Sequence, residues 1–414
     1  MKIAIIGSGI SGLVCAYLLR RDHEIILFEA NDYIGGHTHT VDVAWGDVTY
    51  AVDTGFIVFN RKTYPNFIKL LNRLQVAWQP SRMSFSVKSE KTGLEYSPSS
   101  LNALFAQRGN LFRPRFYRMV ADIFRFKRRS TRLLRRDGDE IGLGDYLKGE
   151  GYSTAFVEDF IIPMGAAIWS ADPERFWHFP ARFFARFFHN HGFLRLFNQP
   201  QWLVIRGGSK NYVQALIRDF ADAIRLSCPV TKVVRRENNV EISYTGGGPE
   251  IFDQVVLATH SDQALKLLTD PSDREARILG SIPYQENDAV LHTDETVLPT
   301  NRSCWASWNY FVPAKRTGRV AVTYDMNILQ RLDAPVQFCV SLNYPGQVDE
   351  EKVLQRMVYH HPVYTRAALV AHQGHKEISG VNRTHFCGAY WGFGFHEDGV
   401  NSALAVCERF GKTL

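Results

Sequence analysis

The chain has 414 residues, with 48 lysines and arginines against 42 aspartates and glutamates, and 45% of its residues are hydrophobic. This composition predicts a globular protein with a substantial core, divided into two domains. No run of 18 apolar residues occurs, so we expect no membrane-spanning helix. The six cysteines show no metal or pairing spacing, and the 14 histidines lack the other ligands of a metal site. We therefore expect a cytoplasmic protein with free thiols and no metal.

The N-terminal stretch has the pattern of a dinucleotide-binding unit. An apolar strand over residues 2–6 precedes a glycine turn, a helical pattern, a second apolar run and Glu29. Gly7 permits the tight turn, Gly9 lets a diphosphate approach the backbone, and Gly12 allows close packing of helix on strand. The helix start offers N–H groups and a positive dipole end to phosphates. Because the strand begins at residue 2, we expect no signal or transit peptide.

A second glycine pair favours FAD over a nicotinamide cofactor. Gly35 and Gly36 follow the second strand, and Thr54 and Gly55 come farther on. A nicotinamide domain does not need that second turn. An extended FAD does, because it runs past the first unit in close contact with the backbone. The motifs therefore predict FAD as the cofactor.

With these motifs the chain resembles the flavin-containing amine oxidoreductase superfamily, whose members share the pattern ExxxRxGGRxxT. That superfamily includes amine oxidases, protoporphyrinogen oxidases and phytoene-type desaturases. The chain keeps the glutamate, the glycine pair and the threonine but has Tyr33 and His37 where arginines are usual. The second of those arginines commonly helps to hold phosphate. More narrowly, the chain resembles a bacterial group described only as predicted NAD/FAD-binding proteins.

The resemblance implies an α/β fold with a discontinuous cofactor domain. A Rossmann-like FAD-binding domain of the glutathione-reductase type would comprise residues 1–80, 200–265 and 380–414. An α+β substrate domain containing an antiparallel sheet would comprise residues 81–199 and 266–379. Glu29 would bind the adenosine ribose in this arrangement.

Later segments have the patterns that this fold requires. Residues 228–258 alternate as strand, turn and strand and end in an apolar run, which predicts a meander returning to the parallel sheet. Residues 384–390 predict a strand, followed by a glycine-rich turn and a helix over 400–410. Residues 202–205 predict a strand before the glycine pair at 207–208. That pair resembles one that faces the flavin in the family, or it is an ordinary strand-to-helix turn.

The motifs and the resemblance together predict the residues that contact FAD: Gly7, Gly9, Ile10, Ser11, Gly12, Glu29, Ala30, Gly35, Gly36, His37, Thr38, Thr54, Gly55, Val230, Ala258, Gly388, Gly399 and Val400. Weaker candidates for catalysis are polar or aromatic side chains near the closing motif or on the predicted antiparallel sheet: Tyr390, Trp391, His396, Glu397 and Trp308. Aromatic side chains at such spacing are more often core, and Asp398 equally fits a cap for the closing helix.

The lack of a lysine at one position bears on which type of bond the protein oxidises. Many amine oxidases of the family hold a water by the flavin with a lysine on a strand reading K-V-x-L. The best match here begins at Ala289, and no lysine lies between Arg277 and Lys315. The sequence therefore favours dehydrogenation of carbon–carbon bonds over amine oxidation.

Two segments are rich in basic and aromatic residues. Residues 108–136 carry a net charge of +10 and the rest of the chain −4. A basic amphipathic helix is predicted over about 114–136, with a basic stripe of Arg115, Arg118, Arg125, Arg129, Arg132 and Arg136. Its apolar stripe comprises Phe116, Val120, Ile123, Phe126 and Leu133, and residues 175–188 are richer still in aromatics. Packing on the protein's own core, binding to anionic lipid and, least favoured, nucleic-acid binding are the three interpretations.

The leading hypothesis is an FAD-dependent oxidoreductase that oxidises a lipophilic substrate, such as a fatty acyl chain of a membrane lipid, at the inner face of the membrane. The first alternative is a flavin-containing amine oxidase. The second is a flavoprotein without activity of its own that assists a lipid-modifying enzyme. The electron acceptor is not predicted.

Overall fold

The computed structural model describes residues 1–135, 141–195, 199–315 and 317–414. Its strands, numbered in chain order, are β1 (Lys2–Ile6), β2 (Glu24–Phe28), β3 (Thr40–Trp45), β4 (Val48–Asp53), β5 (Val58–Asn60), β6 (Trp78–Pro80), β7 (Phe85–Ser89), β8 (Leu94–Tyr96), β9 (Trp202–Ile205), β10 (Ile224–Arg225), β11 (Val230–Arg235), β12 (Val240–Tyr244), β13 (Gly247–Phe252), β14 (Gln254–Leu257), β15 (Tyr284–His292), β16 (Trp308–Val312), β17 (Ala321–Asp325), β18 (Cys339–Leu342), β19 (Val353–Pro362) and β20 (Thr384–Phe386). Its α-helices are α1 (Ile10–Leu19), α2 (Pro65–Arg73), α3 (Leu101–Leu104), α4 (Pro114–Arg129), α5 (Leu143–Gly149), α6 (Thr154–Phe156), α7 (Ile162–Trp169), α8 (Ala181–Asn190), α9 (Lys210–Ile217), α10 (Ser261–Leu267), α11 (Asp273–Gly280), α12 (Met326–Leu329), α13 (Arg366–Gln373), α14 (His375–Ile378) and α15 (His396–Glu408).

A parallel sheet brings the predicted nucleotide-binding motifs together. Its strand order among the described residues is β10-β2-β1-β14-β20. The predicted unit of strand, turn, helix and strand is confirmed by β1, α1 and β2, which pair in register from Lys2 with Glu24 to Ile6 with Phe28. The predicted meander is confirmed by β11 to β13, and β14 returns beside β1.

Both faces of this sheet are covered, which explains why β1 is apolar throughout. Ile3 and Ile5 pack into a core shared with α1, α9 and α15. Ala4 and Ile6 pack into a second core shared with the meander and with α10, α11 and α13. The carboxyl ends of β1 and β14 thus lie between the two packed cores.

A second, mainly antiparallel sheet has the order β19-β15-β18-β17-β16-β7-β8 among the described residues. The antiparallel sheet that the resemblance implied is present, with β16, β17 and β18 paired antiparallel, whereas the pairing of β16 with β7 is parallel. Helices α4 to α8 contribute to a large aromatic core that also includes Tyr310 and Val322 of this sheet. The division into cofactor and substrate domains at residues 80, 200, 265 and 380 stays a prediction.

The two basic-aromatic segments turn their apolar sides inward. In α4, Phe116 and Phe126 are 4% and 2% exposed, and the predicted apolar stripe packs on the aromatic core. The helix ends at Arg129 and continues as a tighter turn over Ser130–Arg135, while Arg136 lies outside the described residues. The aromatic side chains of α8 are likewise buried. Packing on the protein's own core is therefore confirmed for the apolar stripe, which does not face a membrane.

The closing helix begins earlier than predicted. Helix α15 begins at His396 rather than at residue 400, because Asp398 caps its first turn. The Asp398 carboxylate accepts hydrogen bonds of 3.0 Å from the backbone N–H groups of Phe393 and Phe395. The capping role predicted for Asp398 is confirmed, but the predicted start of the helix was four residues too far along the chain. Among the described residues, no helix is both long and apolar enough to cross a bilayer.

Candidate functional site

The first glycine turn requires glycine for packing on two sides. Gly7 has φ +102°, and a Cβ there would lie 2.8 Å from the carbonyl oxygen of Ala258. A Cβ on Gly12 would overlap the carbonyl oxygen of Gly7. Gly9 differs, because a Cβ there would meet nothing within 4 Å. The turn is thus closed against strand β14 and open beside Gly9, with Ile10, Ser11 and Gly12 forming the first turn of α1.

The second glycine turn packs directly on the first. Gly35 pairs with Gly9 as an isolated parallel bridge, and a Cβ on Gly36 would lie 3.2 Å from the Cα of Gly9. Gly55, at the end of the β3–β4 hairpin, leaves no room for a side chain beside the carbonyl group of His37. The structure therefore brings together three segments that the sequence predicted to contact one cofactor.

Glu29 is held in place at the end of β2. Its carboxylate accepts hydrogen bonds from the backbone N–H and the hydroxyl of Ser8, at 2.8 and 2.6 Å, and from the N–H of Asn31 at 2.9 Å. The Glu29 carbonyl group accepts a 2.8 Å bond from the N–H of Cys228, two residues before Val230. Val230 is therefore placed on the Glu29 side of the sheet, with Ala30 next in sequence.

The C-terminal motif meets the first glycine turn. The Ser11 hydroxyl donates a 3.0 Å hydrogen bond to the carbonyl group of Gly399. The Ser402 hydroxyl donates to the same carbonyl group and accepts from the N–H of Gly388, both at 2.9 Å. Val400 is buried in the core shared with α1. Residues about 390 positions apart in sequence therefore form one corner, as a single extended cofactor requires.

The glycine turns fit the diphosphate of FAD. The space beside Gly9 is open, and α1 begins there without a side-chain cap or an acidic residue in its first turn. A helix N-terminus of this kind favours an anion. His37 follows Gly36 in sequence, and its buried Nε2 atom has no hydrogen-bond partner among the described residues. In the tautomer that carries its proton on Nε2, the ring would donate a hydrogen bond to a phosphate oxygen.

His37 lies in a group of rings from three elements. Its ring centroid is 6.0 Å from that of His260, 5.4 Å from His361 and 5.2 Å from Tyr359. Burial lowers the pKa of His37 to about 4 and that of His260 and His361 to about 3, so all three are neutral at pH 7. Among the described residues, no three His, Cys, Asp or Glu side chains are arranged to hold a metal ion.

Thr38 belongs to a buried polar triad. Its hydroxyl lies 2.5 Å from that of Tyr212 and 3.0 Å from Nε2 of His396, and Tyr212 lies 2.9 Å from the same nitrogen. Burial lowers the pKa of His396 well below its ordinary value. The neutral ring therefore acts through hydrogen bonds and packing, and it ties α9 and α15 to the second glycine turn.

The β3–β4 hairpin is fixed by Asp53 and Thr54. Asp53 accepts hydrogen bonds from the N–H and hydroxyl of Ser209, at 2.8 and 2.9 Å, so it holds the glycine pair that precedes α9. Burial raises the pKa of Asp53 to about 6. Thr54 shares a 2.7 Å hydrogen bond with the hydroxyl of Tyr359 on β19. The hairpin thus bridges the parallel sheet and the antiparallel sheet.

The catalytic candidates separate into different environments. The Glu397 carboxylate accepts 2.9 Å hydrogen bonds from the N–H groups of Asn66 and Phe67, so it caps α2. Tyr390 and Trp391 pack in the core beside α11 and α13, on the meander side of the parallel sheet. Trp308 is half-buried between two cores on β16. Of the five candidates, His396 is the one whose side chain bonds to a predicted cofactor residue among the described contacts, namely Thr38.

Ala289 occupies the lysine position of the resembled strand. It is 1% exposed and packs in the aromatic core. Its partners in register are Leu342 on β18 and Met357 on β19, both apolar. The cross-strand neighbours of Ala289 are therefore apolar, and a charged amine group between them would lack a partner.

Tyr212, Tyr359 and Asp53 are site residues that the sequence analysis missed. They bond to Thr38, Thr54 and Ser209 respectively, and each of these partners is distant in sequence. Asp53 directly precedes the predicted Thr54 and Gly55, and this position beside a motif could have identified it as a site residue. Nothing in the sequence around Tyr212 and Tyr359 indicated that they belong to the site.

Comparison with known proteins agrees with this geometry. The sequence profile of the family described as flavin containing amine oxidoreductase matches residues 10–410. A stretch of 96 residues is 33% identical to a 1-hydroxycarotenoid 3,4-desaturase from Flavobacterium sp. (strain P99-3). That match spans 23% of this chain and only 18% of the desaturase.

Solved structures share the fold over nearly the whole chain. A fatty acid isomerase from P. acnes that produces CLA superposes with a TM-score of 0.70 at 17% identity, over 99% of this chain and 98% of the isomerase. A cyclohexylamine oxidase from Brevibacterium oxydans IH-35A superposes with a TM-score of 0.68 at 15% identity, over 99% of both chains.

Proposed function

This chain belongs to the flavin-containing amine oxidoreductase family, and from that premise we propose that it dehydrogenates a lipophilic substrate, the fatty acyl chain of a membrane lipid. It is a flavin-dependent oxidoreductase, and its cofactor is FAD. We further propose a discontinuous cofactor domain of residues 1–80, 200–265 and 380–414, and action at the cytoplasmic face of a membrane.

The chain's own residues would hold the cofactor along one line. Ser8 and Asn31 would orient Glu29 towards the ribose, and the α1 N-terminus and His37 would face the diphosphate, while Gly55 and Gly399 let the neighbouring segments pack closely on His37 and on the start of α1. When bound, FAD would supply the two-electron oxidant for converting a carbon–carbon single bond of the substrate into a double bond, with the hydride passing to the oxidant, the proton to water, and the electrons finally to dioxygen or another carrier.

The surroundings of the buried Ala289 support a hydrocarbon substrate over an amine. An amine oxidase must accommodate an ammonium group and release its proton. Here the strand facing the aromatic core places an alanine between Leu342 and Met357. A hydrocarbon chain needs no polar partner at that position, whereas a buried charge without a partner is strongly unfavourable.

The closing motif continues this apolar surface. Phe393 stacks on Phe183 with ring centroids 4.5 Å apart, and Phe395 stacks on Phe187 at 5.0 Å. The indole N–H of Trp169 donates to the carbonyl group of Phe393 at 3.2 Å. The segment that precedes α15 is therefore lined by aromatic rings on the side of α7 and α8, which supports a lipophilic substrate.

The fold itself does not distinguish lipid from amine. A fatty acid isomerase and a cyclohexylamine oxidase superpose on this chain almost equally well. The stretch similar to a carotenoid desaturase is short. The proposal therefore depends on the residues beside Ala289 and not on the neighbours.

A comparison of lipids from cells with and without this protein tests the proposal. We expect the protein to produce acyl chains that are two hydrogens lighter, detected by mass spectrometry of lipid extracts. Unchanged lipids, together with peroxide release by the purified protein from a panel of amines, would instead favour amine oxidase activity.

A further inference from the structure

We propose that residues 101–118 and the outer face of α4 form a docking surface for an anionic lipid bilayer. The choice of a lipid bilayer as the partner rests on the proposed function, in which a membrane lipid is the substrate. It differs from the predicted apolar stripe of α4, which is buried in the protein's own core. The docking surface consists of other side chains, which are exposed.

Large apolar side chains are unusually exposed in this region. Phe112 is 87% exposed and Leu101 is 77% exposed, and three further residues on the same segments are between 42% and 54% exposed: Leu111, Tyr117 and Phe124. Exposed apolar residues scattered singly are normal, but a contiguous group marks an interaction site. Their exposure is unfavourable in water and would be relieved in the boundary region of a bilayer.

These side chains belong to one surface. The Tyr117 hydroxyl donates a 3.1 Å hydrogen bond to the carbonyl group of Leu111, and the Tyr117 ring lies 6.1 Å from that of Phe105. Arg108 donates to the carbonyl group of Phe105 at 3.1 Å, and to the amide oxygen of Asn102 at 2.8 Å. Helix α3, the turn after it and the start of α4 are thus held together.

The outer stripe of α4 extends this surface away from the core. Tyr117, Ala121, Phe124 and Arg128 follow each other at intervals of four, three and four residues and are all exposed. This spacing places them on one face of a helix. The opposite face contains Phe116 and Phe126, which are buried. The helix therefore has one apolar face inside the protein and a narrower one in solvent.

The charge of this surface selects an anionic partner. Arg108, Arg113 and Arg128 are exposed and form no ion pair within the described ranges. Residues 101–135 contain one acidic residue, Asp122, which is 2% exposed and bonded to Arg125 and to the N–H of Ser153. Arginine next to exposed aromatic and aliphatic side chains is the composition that binds anionic headgroups and inserts between them.

Co-sedimentation with vesicles tests the proposal on the FAD-loaded protein. We expect binding to vesicles that contain phosphatidylglycerol and at least tenfold less binding to pure phosphatidylcholine. Phe112→Asp should reduce binding to the anionic vesicles at least tenfold, because its side chain is free of the core. Val370→Asp is the matched control, since Val370 is 69% exposed on α13, and it should bind like the original protein.

Equal binding to both vesicle types, or unchanged binding of Phe112→Asp, would overturn the docking surface, and so would preferential binding to duplex DNA or RNA. Reduction of the flavin by detergent-dispersed phospholipid separates this result from the proposed function. We expect Phe112→Asp to keep the original rate there. If the unchanged protein binds vesicles but no dispersed lipid reduces its flavin, the docking surface stands and the proposed reaction fails.

Discussion

The imidazole ring of His396 lies parallel to the ring of Phe56, with centroids 3.4 Å apart and 9° between the planes. Its Nε2 atom is shared by the hydroxyls of Thr38 and Tyr212. Burial disfavours a charged ring and holds the pKa of His396 well below its ordinary value, so His396 positions the second glycine turn and does not carry a proton.

This role of His396 predicts the behaviour of His396→Gln. The rate of flavin reduction should change by the same factor across pH 6 to 8, because a neutral ring contributes no titration there. Stopped-flow measurement of flavin bleaching against pH checks this. Loss in the variant of an inflection near pH 6.5, the ordinary pKa of histidine, would show that His396 acts as an acid or base.

Substitution by alanine should lower FAD affinity at Gly9 but protein stability at Gly12. Gly9→Ala should keep the thermal stability of the apoprotein, since its Cβ meets nothing, but should lower FAD affinity about tenfold or more. Gly12→Ala should destabilise the apoprotein itself, because its Cβ overlaps the carbonyl group of Gly7. Fluorescence titration with FAD and thermal unfolding measure the two effects. Unchanged affinity in Gly9→Ala would place the diphosphate elsewhere.

Glu397 should matter for stability and not for catalysis. Glu397→Ala removes the acceptor for two N–H groups at the start of α2, which should cost about 1–3 kcal/mol of the free energy of unfolding. The rate of flavin reduction should be unchanged. Glu408→Ala, an exposed position on the same helix, is the control and should alter neither. A large loss of rate without loss of stability would restore Glu397 as a proton carrier.

Buried neutral histidines should make the protein sensitive to acid. Burial lowers the pKa of several histidines to about 3 or 4: His37, His191, His260, His292, His361, His372 and His385. Below about pH 6.5 the unfolded chain binds protons at these positions and the folded chain does not. Stability should therefore fall as the pH falls from 6.5 towards 4, by about 1.4 kcal/mol per pH unit for each such histidine.

Denaturant unfolding at several pH values measures this slope. His191→Gln should reduce it, because His191 is buried against Phe187 with ring centroids 3.9 Å apart. A slope in His191→Gln equal to that of the original protein would contradict the neutral state of His191.

The elements that depend on residues close together in the chain could be predicted from the sequence. The glycine turns and the strands β1, β2, β14 and β20 of the parallel sheet follow from spacing and apolar pattern, and the structure confirms them. Ser11 and Gly399 were both predicted to contact one extended cofactor, and the structure joins them by a hydrogen bond. Local pattern did not determine where α15 begins, because Asp398 reaches back to Phe393 as well as to Phe395.

The direction in which α4 faces could not be predicted from its own residues. Its apolar stripe could face a membrane or a protein core equally well. In the structure the stripe faces the core, because the aromatic side chains of α6 to α8 cover it. Glu397 is a similar case, because its partners at Asn66 and Phe67 come from a helix far away in sequence. Tyr212 and Tyr359 were missed for the same reason.

The most direct test of the central claim is anaerobic mixing of the purified, FAD-loaded protein with detergent-dispersed phospholipid, with no other protein present. We predict that the yellow flavin absorbance bleaches and that the recovered acyl chain lacks two hydrogens. A flavin that stays oxidised with phospholipid but bleaches with an amine would contradict the account. A flavin that bleaches only after a second protein is added would contradict catalysis by this chain alone.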